Sequence, residues 1–164
     1  MSDILYTYYQ SPVGPLKIGG TENYIAEITF ADKDEQLKEH VGSNQLLTQC
    51  IEQLIEYFNG NRRNFDLPVH QGGTTFQNKV WNELMNIDFG KTISYMMLAK
   101  RLGEPNCIRA AASSNGKNNI CIVVPCHRVI GSNQSLVGYA GGLWRKKWLL
   151  EHENKIANGV QTLF

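Results

Sequence analysis

The sequence predicts an α/β (α+β) fold in two domains. A small strand-rich α/β domain is expected at residues 1–70, and a mainly helical domain with a helix-turn-helix at residues 71–164. Three observations support this division. Short apolar–polar alternations, typical of strands, fill the first thirty residues. Helical patterns with capping residues dominate the chain beyond residue 74. Between them lies a polar segment with Pro68 and the pair Gly72-Gly73, which indicates a linker.

The composition is that of an ordinary globular protein. The 164 residues are 42% hydrophobic and carry a formal net charge of +1. No stretch approaches the roughly 18 apolar residues of a membrane span. The start, Met1-Ser2-Asp3, lacks the basic residues of a secretory signal. Because four cysteines without such a signal are typical of free thiols, we expect a cytoplasmic protein with no membrane association.

The first domain is predicted to begin with a hairpin. Residues 6–9 and 16–18 read as strands around the turn Pro-Val-Gly-Pro at 12–15, and residues 26–30 alternate as in a half-buried strand. A helix follows, with Ser43 as its expected N-cap and Gly60 as its terminator. Cys50 lies on the apolar stripe of this helix, so we interpret it as core packing.

The second domain is predicted to contain a helix-turn-helix. A capping box at residues 74–77 starts the first helix of this domain. Ser94 can cap a second helix that ends at Gly103, and Pro105 can open a third. The second and third helices are joined across a glycine-containing turn, which is the helix-turn-helix pattern.

The third helix has an unusual surface for a protein that reads DNA sequence. Arg109 is followed by Ala110, Ala111, Ala112 and Ser113, which offer few hydrogen bonds to base edges. Small residues with one arginine suit close approach to a minor groove with an inserted side chain. The alternative is that the small residues simply allow tight helix packing, and both interpretations can hold.

The segment at residues 120–131 carries the candidate nucleophile. Residues 120–124 are all apolar and predict a buried strand, which Pro125 ends. Cys126, His127 and Arg128 follow. A thiolate is the strongest nucleophile among ordinary side chains, and nearby cations or a helix N-terminus lower its pKa. If Pro125 opens a helical turn, Cys126 lies at its positive end. A merely buried cysteine is the alternative, and this segment alone does not separate the two.

The end of the chain is predicted to form a loop and a closing helix. Residues 138–142, Gly-Tyr-Ala-Gly-Gly, are expected to form a flexible loop, and residues 143–153 a helix. We expect Leu149 and Leu150 to face inward and Arg145, Lys146 and Lys147 to face outward.

Basic residues are concentrated in the second half of the chain. Between residues 91 and 147 the only acid is Glu104, whereas the bases are Lys91, Lys100, Arg101, Arg109, Lys117, Arg128, Arg145, Lys146 and Lys147. This asymmetry indicates an anionic partner such as nucleic acid. A solvated basic face without a partner is the alternative.

Several motifs of the second half match a known family. They are Arg109, Asn115-Gly116, Asn118, the stretches at 124–131, 138–143 and 149–153, and upstream the stretches at 76–77, 80–81 and 90–95. Over nearly all of residues 74–153 the chain thereby resembles the O6-alkylguanine-DNA alkyltransferases. Residues 1–70 resemble the family's first domain only in size, strand-rich character and the Phe-Asp-Leu-Pro at 65–68. The resemblance implies that the second domain is winged-helix-like.

The resemblance also implies direct reversal of DNA damage. A methyl or other alkyl group would pass irreversibly from O6 of guanine, less readily from O4 of thymine, to the protein's own cysteine, once per molecule. Cys126 would be the acceptor, His127 its base through a water, and Glu153 the residue that orients the relay. The resemblance implies no cofactor. Some members bind zinc in the first domain, but Cys50 is the first cysteine here, so we expect no metal site.

Other roles follow from the resemblance by position. The residues implied to bind the alkylated base are Tyr95, Asn118, Val129, Tyr139 and Ala140. The residues implied to bind DNA are Arg109, Ser94, Ala110, Ser113 and Arg128. Arg109 would fill the place of the base, which must leave the stack before its O6 substituent can be reached. The expected partner is double-stranded DNA, contacted in the minor groove by a monomer through the helix-turn-helix.

The chain departs from the family pattern at a few positions. Asn119 stands where proline is usual, and Met96, Met97 and the Ala-Ser at 112–113 also differ from the commonest residues. These departures bear on stability and damage preference more than on activity.

Three other functions are weaker alternatives. Alkyltransferase-like proteins bind lesions without transfer, but they lack the cysteine that is present here at position 126. A zinc site from Cys121, Cys126 and His127 has loose spacing and no second ligand pair. A cysteine hydrolase needs a remote histidine and an oxyanion signature, and it would leave the helix-turn-helix unexplained.

Overall fold

The computed structural model describes residues 3–32, 41–131 and 136–159. The chain divides into two compact units, Met1–Gln71 and Gly72–Phe164. In the described part of the chain, every helix is too short or too polar to cross a membrane. The units contain the strands and helices that the α+β prediction required, so the fold class is confirmed.

The first unit is a three-stranded antiparallel sheet covered by one helix. The strands β1 (Leu5–Ser11), β2 (Gly14–Gly20) and β3 (Ile25–Phe30) pair in chain order. The predicted hairpin is confirmed, since β1 and β2 align up to the pair Ser11 and Gly14. The turn is closed by the Ser11 hydroxyl, which donates to the Gly14 carbonyl at 2.7 Å and accepts from the Val13 N–H at 3.1 Å.

Helix α1 (Gln45–Phe58) contacts all three strands of this sheet. Its N-cap is Asn44, whose side-chain oxygen accepts from the Leu47 N–H at 2.9 Å, so the expectation of Ser43 is wrong by one residue. Asn and Ser cap equally well, and sequence alone does not choose between neighbours. Cys50 is fully buried on the inner face, as predicted. Gly60 follows the helix with φ of 83°, a conformation that glycine adopts without steric cost.

The second unit is mainly helical. Its elements in order are α2 (Thr75–Leu84), β4 (Ile93–Ser94), α3 (Tyr95–Arg101), a 3-10 turn (Pro105–Cys107), α4 (Ile108–Gly116), a 3-10 turn (Cys126–Arg128), β5 (Val129–Ile130) and α5 (Leu143–Asn158). The helices α2, α3 and α4 pack against one another. The two short strands pair in parallel and place Ile93 beside Val129, which brings the start of α3 next to the segment that follows Cys126.

The predicted starts of the first two helices around the helix-turn-helix are confirmed, whereas the third α-helix begins at Ile108 and not at Pro105. Thr74 and Gln77 form the reciprocal capping box of α2. The Ser94 hydroxyl accepts from the Met97 N–H at 3.0 Å and caps α3. Gly103 has φ of 82° in the turn between α3 and the 3-10 turn, and Pro105 opens the latter. Each of these capping and turn signals depends only on neighbouring residues, so it can be read from the sequence.

The apolar run before Pro125 is a buried turn and not the predicted strand. The Val124 N–H donates to the Ile120 carbonyl at 3.0 Å, so the chain folds back on itself. Asn118 completes the turn, since its side-chain amide donates to the Val124 carbonyl at 2.8 Å and its oxygen accepts from the Ile120 N–H at 3.1 Å. Because these bonds satisfy the buried backbone groups, the run needs no sheet ladder to be buried.

Candidate active site

Cys126 lies at the start of a helical turn, as its position after Pro125 predicted. The 3-10 turn Cys126–Arg128 begins directly after Pro125, and its residues are all buried. Cys126 is only 5% exposed, yet it lines a cavity of about 270 Å³. This volume is near the lower end for small-molecule pockets, about 300–1,000 Å³. The thiol is therefore buried but borders a cavity.

The cavity brings together residues from four parts of the second unit. Its lining residues are Tyr95 of α3, Ala112, Asn115 and Gly116 of α4, Asn118 and Cys126 of the central turn, and Gly138, Tyr139 and Ala140 of the loop before α5. Four of the five residues expected to bind the base thus surround Cys126. The fifth, Val129, is fully buried in the parallel ladder opposite Ile93 and does not line the cavity.

His127 and Glu153 form a fully buried pair beside Cys126. The His127 Nε2 lies 2.7 Å from Oε2 of Glu153, and both residues are 0% exposed. Glu153 also accepts from the Arg128 Nε at 2.8 Å, from its Nη2 at 3.1 Å and from the Gly90 N–H at 3.2 Å. Within the described residues, the His127 Nδ1 has no hydrogen-bond partner. One imidazole nitrogen is thereby fixed and the other is left available.

The charges of this pair follow from its surroundings. Burial lowers the pKa of His127, although the Glu153 carboxylate opposes this, so we assign a neutral imidazole near pH 7. Burial by itself raises the pKa of Glu153, but the contacts with His127 and with the permanently charged Arg128 outweigh it and hold the pKa below its usual range. With the Nε2–H donated to a carboxylate, the lone pair of the neutral ring lies on Nδ1 and can accept a proton.

The thiol of Cys126 is more acidic than an ordinary cysteine. A hydrogen bond from Cys121 has the largest effect and lowers its pKa; burial opposes this, and a hydrogen bond from Asn118 and the charge of Lys146 lower it further. These contacts stabilise the thiolate, which is the nucleophilic form. Cys50, buried in the first unit without such partners, shows the contrast, because burial raises its pKa to about 12. Burial alone would therefore suppress the reactivity of Cys126.

Lys146 belongs to the site, although the sequence analysis placed it on the outside. The prediction for Arg145 and Lys146 is wrong: they are 5% and 0% exposed, and only Lys147 faces outward. The Lys146 Nζ donates to the Val137 carbonyl at 2.8 Å and to the Gly138 carbonyl at 3.2 Å. It lies 5.7 Å from the centre of the Tyr95 ring. Burial lowers its pKa to about 8, while the charge of Cys126 opposes the shift.

The prediction that Arg145 and Lys146 face outward is wrong because the first residues of α5 face the solvent. Leu143 and Trp144 are 49% and 56% exposed, so the inward face begins at the basic residues that follow. The aliphatic part of a lysine or arginine can be buried when its charged end finds acceptors. For Lys146 these are the loop carbonyls. Arg145 likewise donates to the Gly141 carbonyl at 3.2 Å.

Arg128 is not available for the DNA contact expected of it. It is 6% exposed, and besides Glu153 it donates from Nη1 to the Ile87 carbonyl at 2.6 Å. We correct its role to that of a brace, which keeps Glu153 ionised and fixed behind His127.

Three of the other residues expected to contact DNA are exposed on α4. Arg109, Ala110 and Ser113 are exposed on α4, whereas Ala111, Ser114 and Asn115 on the opposite side are buried. The small residues of α4 therefore fit both interpretations, since those on one side pack inside the unit and those on the other side are accessible for close approach to a groove. The Trp81 indole N–H anchors α4 by donating to the Ser114 carbonyl at 2.9 Å. The fourth, Ser94, is half-buried and caps α3.

Two further residues at the site escaped the sequence analysis. Asn115 is 4% exposed, and its side-chain amide donates to the Cys126 carbonyl at 3.3 Å. Cys121 lies in the apolar run that was predicted to be buried, and it is buried, but its effect on the pKa of Cys126 also makes it part of the site. Among the described residues, no group of three or more His, Cys, Asp or Glu is placed to hold a metal ion.

The fold and the site together define a class of protein. This is a helix-turn-helix protein with an activated cysteine that faces a small cavity beside its second helix. Two family models match the chain: "6-O-methylguanine DNA methyltransferase, ribonuclease-like domain" over residues 4–71 and "6-O-methylguanine DNA methyltransferase, DNA binding domain" over residues 75–155. The chain belongs to the 6-O-methylguanine DNA methyltransferase family.

Curated relatives and solved structures agree with this assignment. A methylated-DNA–protein-cysteine methyltransferase of Methanosarcina acetivorans is 38% identical over 90% of this chain and 97% of its own. A protein of the same name from Mycobacterium bovis is 38% identical, over 98% of this chain and 99% of its own. The crystal structure of Mycobacterium tuberculosis OGT in complex with DNA is 37% identical, with a TM-score of 0.85 over 93% of this chain and 94% of that one. The resemblance found in the sequence is thereby confirmed.

Proposed function

We propose that this protein repairs DNA by direct reversal, transferring a methyl or other alkyl group from O6 of guanine to Sγ of its own Cys126. The observation that carries the proposal is the buried pair of His127 and Glu153 beside a thiol whose pKa is lowered and which faces a cavity. The family and the names of the relatives supply the substrate class.

The transfer is a nucleophilic displacement at the alkyl carbon. The Cys126 Sγ forms a bond to that carbon, the bond from carbon to O6 breaks, and its electron pair stays on the base. The thiol proton passes to the His127 Nδ1 through a water and then to the guanine, so that the base leaves neutral. Glu153 holds the imidazole in the tautomer that has its lone pair on Nδ1.

The remaining cavity residues position the base. The Tyr95 hydroxyl donates to the Val137 carbonyl at 3.3 Å and would instead donate to the guanine ring. Tyr139 and Ala140 would wall the pocket, and Asn118 braces the turn below the thiol. By the family resemblance, the carbonyls of Cys126 and of Val129, which lies outside the cavity lining, would accept the exocyclic amine of guanine. By the same displacement, O4-alkylthymine would react less readily.

The base reaches the thiol only after leaving the duplex stack, because the thiol is buried and opens to the cavity alone. We assign minor-groove binding to the exposed face of α4. Arg109 would fill the vacated place, while Ala110 and Ser113 approach the backbone and Ser94 contacts it from the start of α3. The solved complex of the Mycobacterium tuberculosis relative with DNA supports a DNA partner.

The product is a stable thioether, so each molecule acts once. We propose a cytoplasmic monomer that needs no cofactor. None of the four cysteines is in a disulfide, which fits a reducing compartment. Binding of the lesion without transfer, the alternative function, is not favoured because the acceptor cysteine is present and its pKa is lowered.

Stoichiometry tests the proposal. Duplex containing O6-methylguanine is mixed with increasing amounts of protein, and the remaining lesion is counted as nucleoside by mass spectrometry. We expect one lesion to disappear for each protein molecule and none with Cys126→Ala, which should still bind the duplex. Repair of many lesions per molecule, or repair by Cys126→Ala, would contradict single use of this cysteine.

A further inference from the structure

Two thiols share one buried turn at the base of the cavity. Cys121 and Cys126 are 2% and 5% exposed, and neither is in a disulfide. The bond from the Val124 N–H to the Ile120 carbonyl folds the chain back between them, and the Cys126 N–H donates to the Val124 carbonyl at 2.8 Å. This folding puts both thiols in one short buried turn, and a hydrogen bond from Cys121 is the main cause that lowers the pKa of Cys126.

The turn that holds Cys121 is strained. Ile122 has φ of 72°, the one positive value at a non-glycine position in the described ranges. The Val123 N–H donates to the Cys121 carbonyl at 2.8 Å, a bond from residue i+2 to residue i. A γ-turn with a positive central φ is rare and strained, and a β-branched residue at its centre is a true outlier. Strain of this kind persists where surrounding contacts enforce it, often at functional sites.

Several other polar groups near Cys126 have hydrogen bonds of their own. Lys146 of α5 donates to the Val137 and Gly138 carbonyls, and the His127 Nε2 faces Glu153. Tyr95 of α3 donates to the Val137 carbonyl and is itself harder to ionise, because burial and the nearby Cys126 raise its pKa. The side-chain hydrogen bonds that lower the pKa of Cys126 come from two residues of the turn, Cys121 and Asn118.

We propose that Cys121 is a positioning residue for the transfer, whose thiol donates a hydrogen bond to Sγ of Cys126 and holds it as a thiolate aimed into the cavity. Cys121 does not line the cavity, so it acts through Cys126 and touches no substrate. Its contact is the largest of the influences that lower the pKa of Cys126, which agrees with this role. The inference rests on the proposed function for the reaction, but the hydrogen bond itself is testable with any soft electrophile.

The test measures the pH dependence of Cys126 alkylation. Wild type and variants are treated with iodoacetamide across the pH range, and the modified Cys126 peptide is quantified by mass spectrometry. Cys121→Ala and Cys121→Val remove the donor, while Cys121→Ser keeps one. We expect the pH profile to move upward for Ala and Val, with alkylation near pH 7 slowed roughly three- to tenfold. The Ser variant should stay within about twofold of wild type, since it restores the hydrogen bond.

Two controls separate a hydrogen bond from packing. Cys50→Ala makes the same change at a buried cysteine of the first unit and should leave the Cys126 profile unchanged. Thermal unfolding is measured for every variant. The proposal is overturned if the pH profile of Cys126 alkylation is unchanged in Cys121→Ala and Cys121→Val, even if their melting temperatures fall. It is also overturned if the profile of Cys121→Ser shifts as far as that of Cys121→Ala. The same samples are mixed with methylated duplex. If wild type takes no methyl group while the profile still moves, the proposed function fails and the hydrogen bond from Cys121 stands.

Discussion

At the scale of single residues, Glu153 is where the polar contacts of the site converge. It accepts from His127, Arg128 and the Gly90 N–H, and it is fully buried. A buried carboxylate of this kind is retained only with cationic and hydrogen-bonding partners. For the reaction, these contacts fix the tautomer of the His127 imidazole. For folding, they make the stability of the protein depend on pH.

The pair predicts that the protein loses stability on acidification. The folded pKa of His127 lies below its unfolded value of about 6.5, so the unfolded state binds the proton first and stability falls as pH drops through that value. The folded pKa of Glu153 is also depressed, so its contribution is present above about pH 4.3 and is lost below it. Urea unfolding at a series of pH values measures this. His127→Gln should flatten the curve near pH 6, and an equal slope in wild type and variant would contradict the assignment.

Lys146 gives a second prediction at this scale. Its charge lowers the pKa of Cys126, and its Nζ holds the loop carbonyls of Val137 and Gly138. Lys146→Met removes both effects while keeping the buried aliphatic chain, so we expect single-turnover transfer at pH 7 to slow by about tenfold or more. The matched control is Lys147→Met, because Lys147 is exposed on the same helix. Equal rates for the two variants would show that the buried lysine has no part in the reaction.

At the scale of elements, α4 combines a packed side and an accessible side. Ala111 and Ser114 are buried, while Arg109, Ala110 and Ser113 are exposed. A helix with small residues on its exposed side can approach a groove closely, and one long side chain can then enter the base stack. The cavity with Cys126 lies against the same helix, since Ala112 and Asn115 line it.

This arrangement predicts a substrate-dependent effect of Arg109→Ala. Loss of the side chain should slow repair of O6-methylguanine in duplex much more than reaction with a free O6-alkylated guanine base, because only the duplex substrate requires extrusion. Single-turnover rates on both substrates provide the comparison. Lys155→Ala, which removes an exposed cation from α5, serves as the control for net charge. Equal losses on both substrates would refute a role in extrusion.

Elements with local signals were predictable from the sequence, and those decided by tertiary contacts were not. The hairpin at Ser11 and Gly14 and the caps Thr74 and Ser94 each depend on a few neighbouring residues. The apolar run before Pro125 has no periodicity, so a strand and a buried turn look alike until the Asn118 bonds are known. Lys146 was misplaced because its acceptors lie in the preceding loop, and a triplet of bases ordinarily marks a solvated face.

At the scale of the whole molecule, the sequence is nearly neutral but its basic residues are concentrated in the second unit. Lys91, Lys100, Arg101, Arg109 and Lys117 are all exposed there. Binding to DNA through such residues releases counterions, so affinity should fall as salt rises, with a logarithmic slope of about −0.9 for each phosphate contact. Fluorescence anisotropy with unmodified duplexes of different sequence measures this. We expect similar affinities among the sequences. A salt-independent affinity would contradict phosphate-dominated binding.

The central claim is that Cys126 itself receives the alkyl group. The most direct test is mass spectrometry of protein mixed with duplex containing O6-methylguanine, followed by digestion and fragmentation of the peptide that contains Cys121 and Cys126. The account predicts a gain of about 14 Da, one methyl group, on Cys126 and none on Cys121, by the requirement for a covalent nucleophile. Binding of the duplex without this mass gain, or a methyl group found on any other residue, would contradict it.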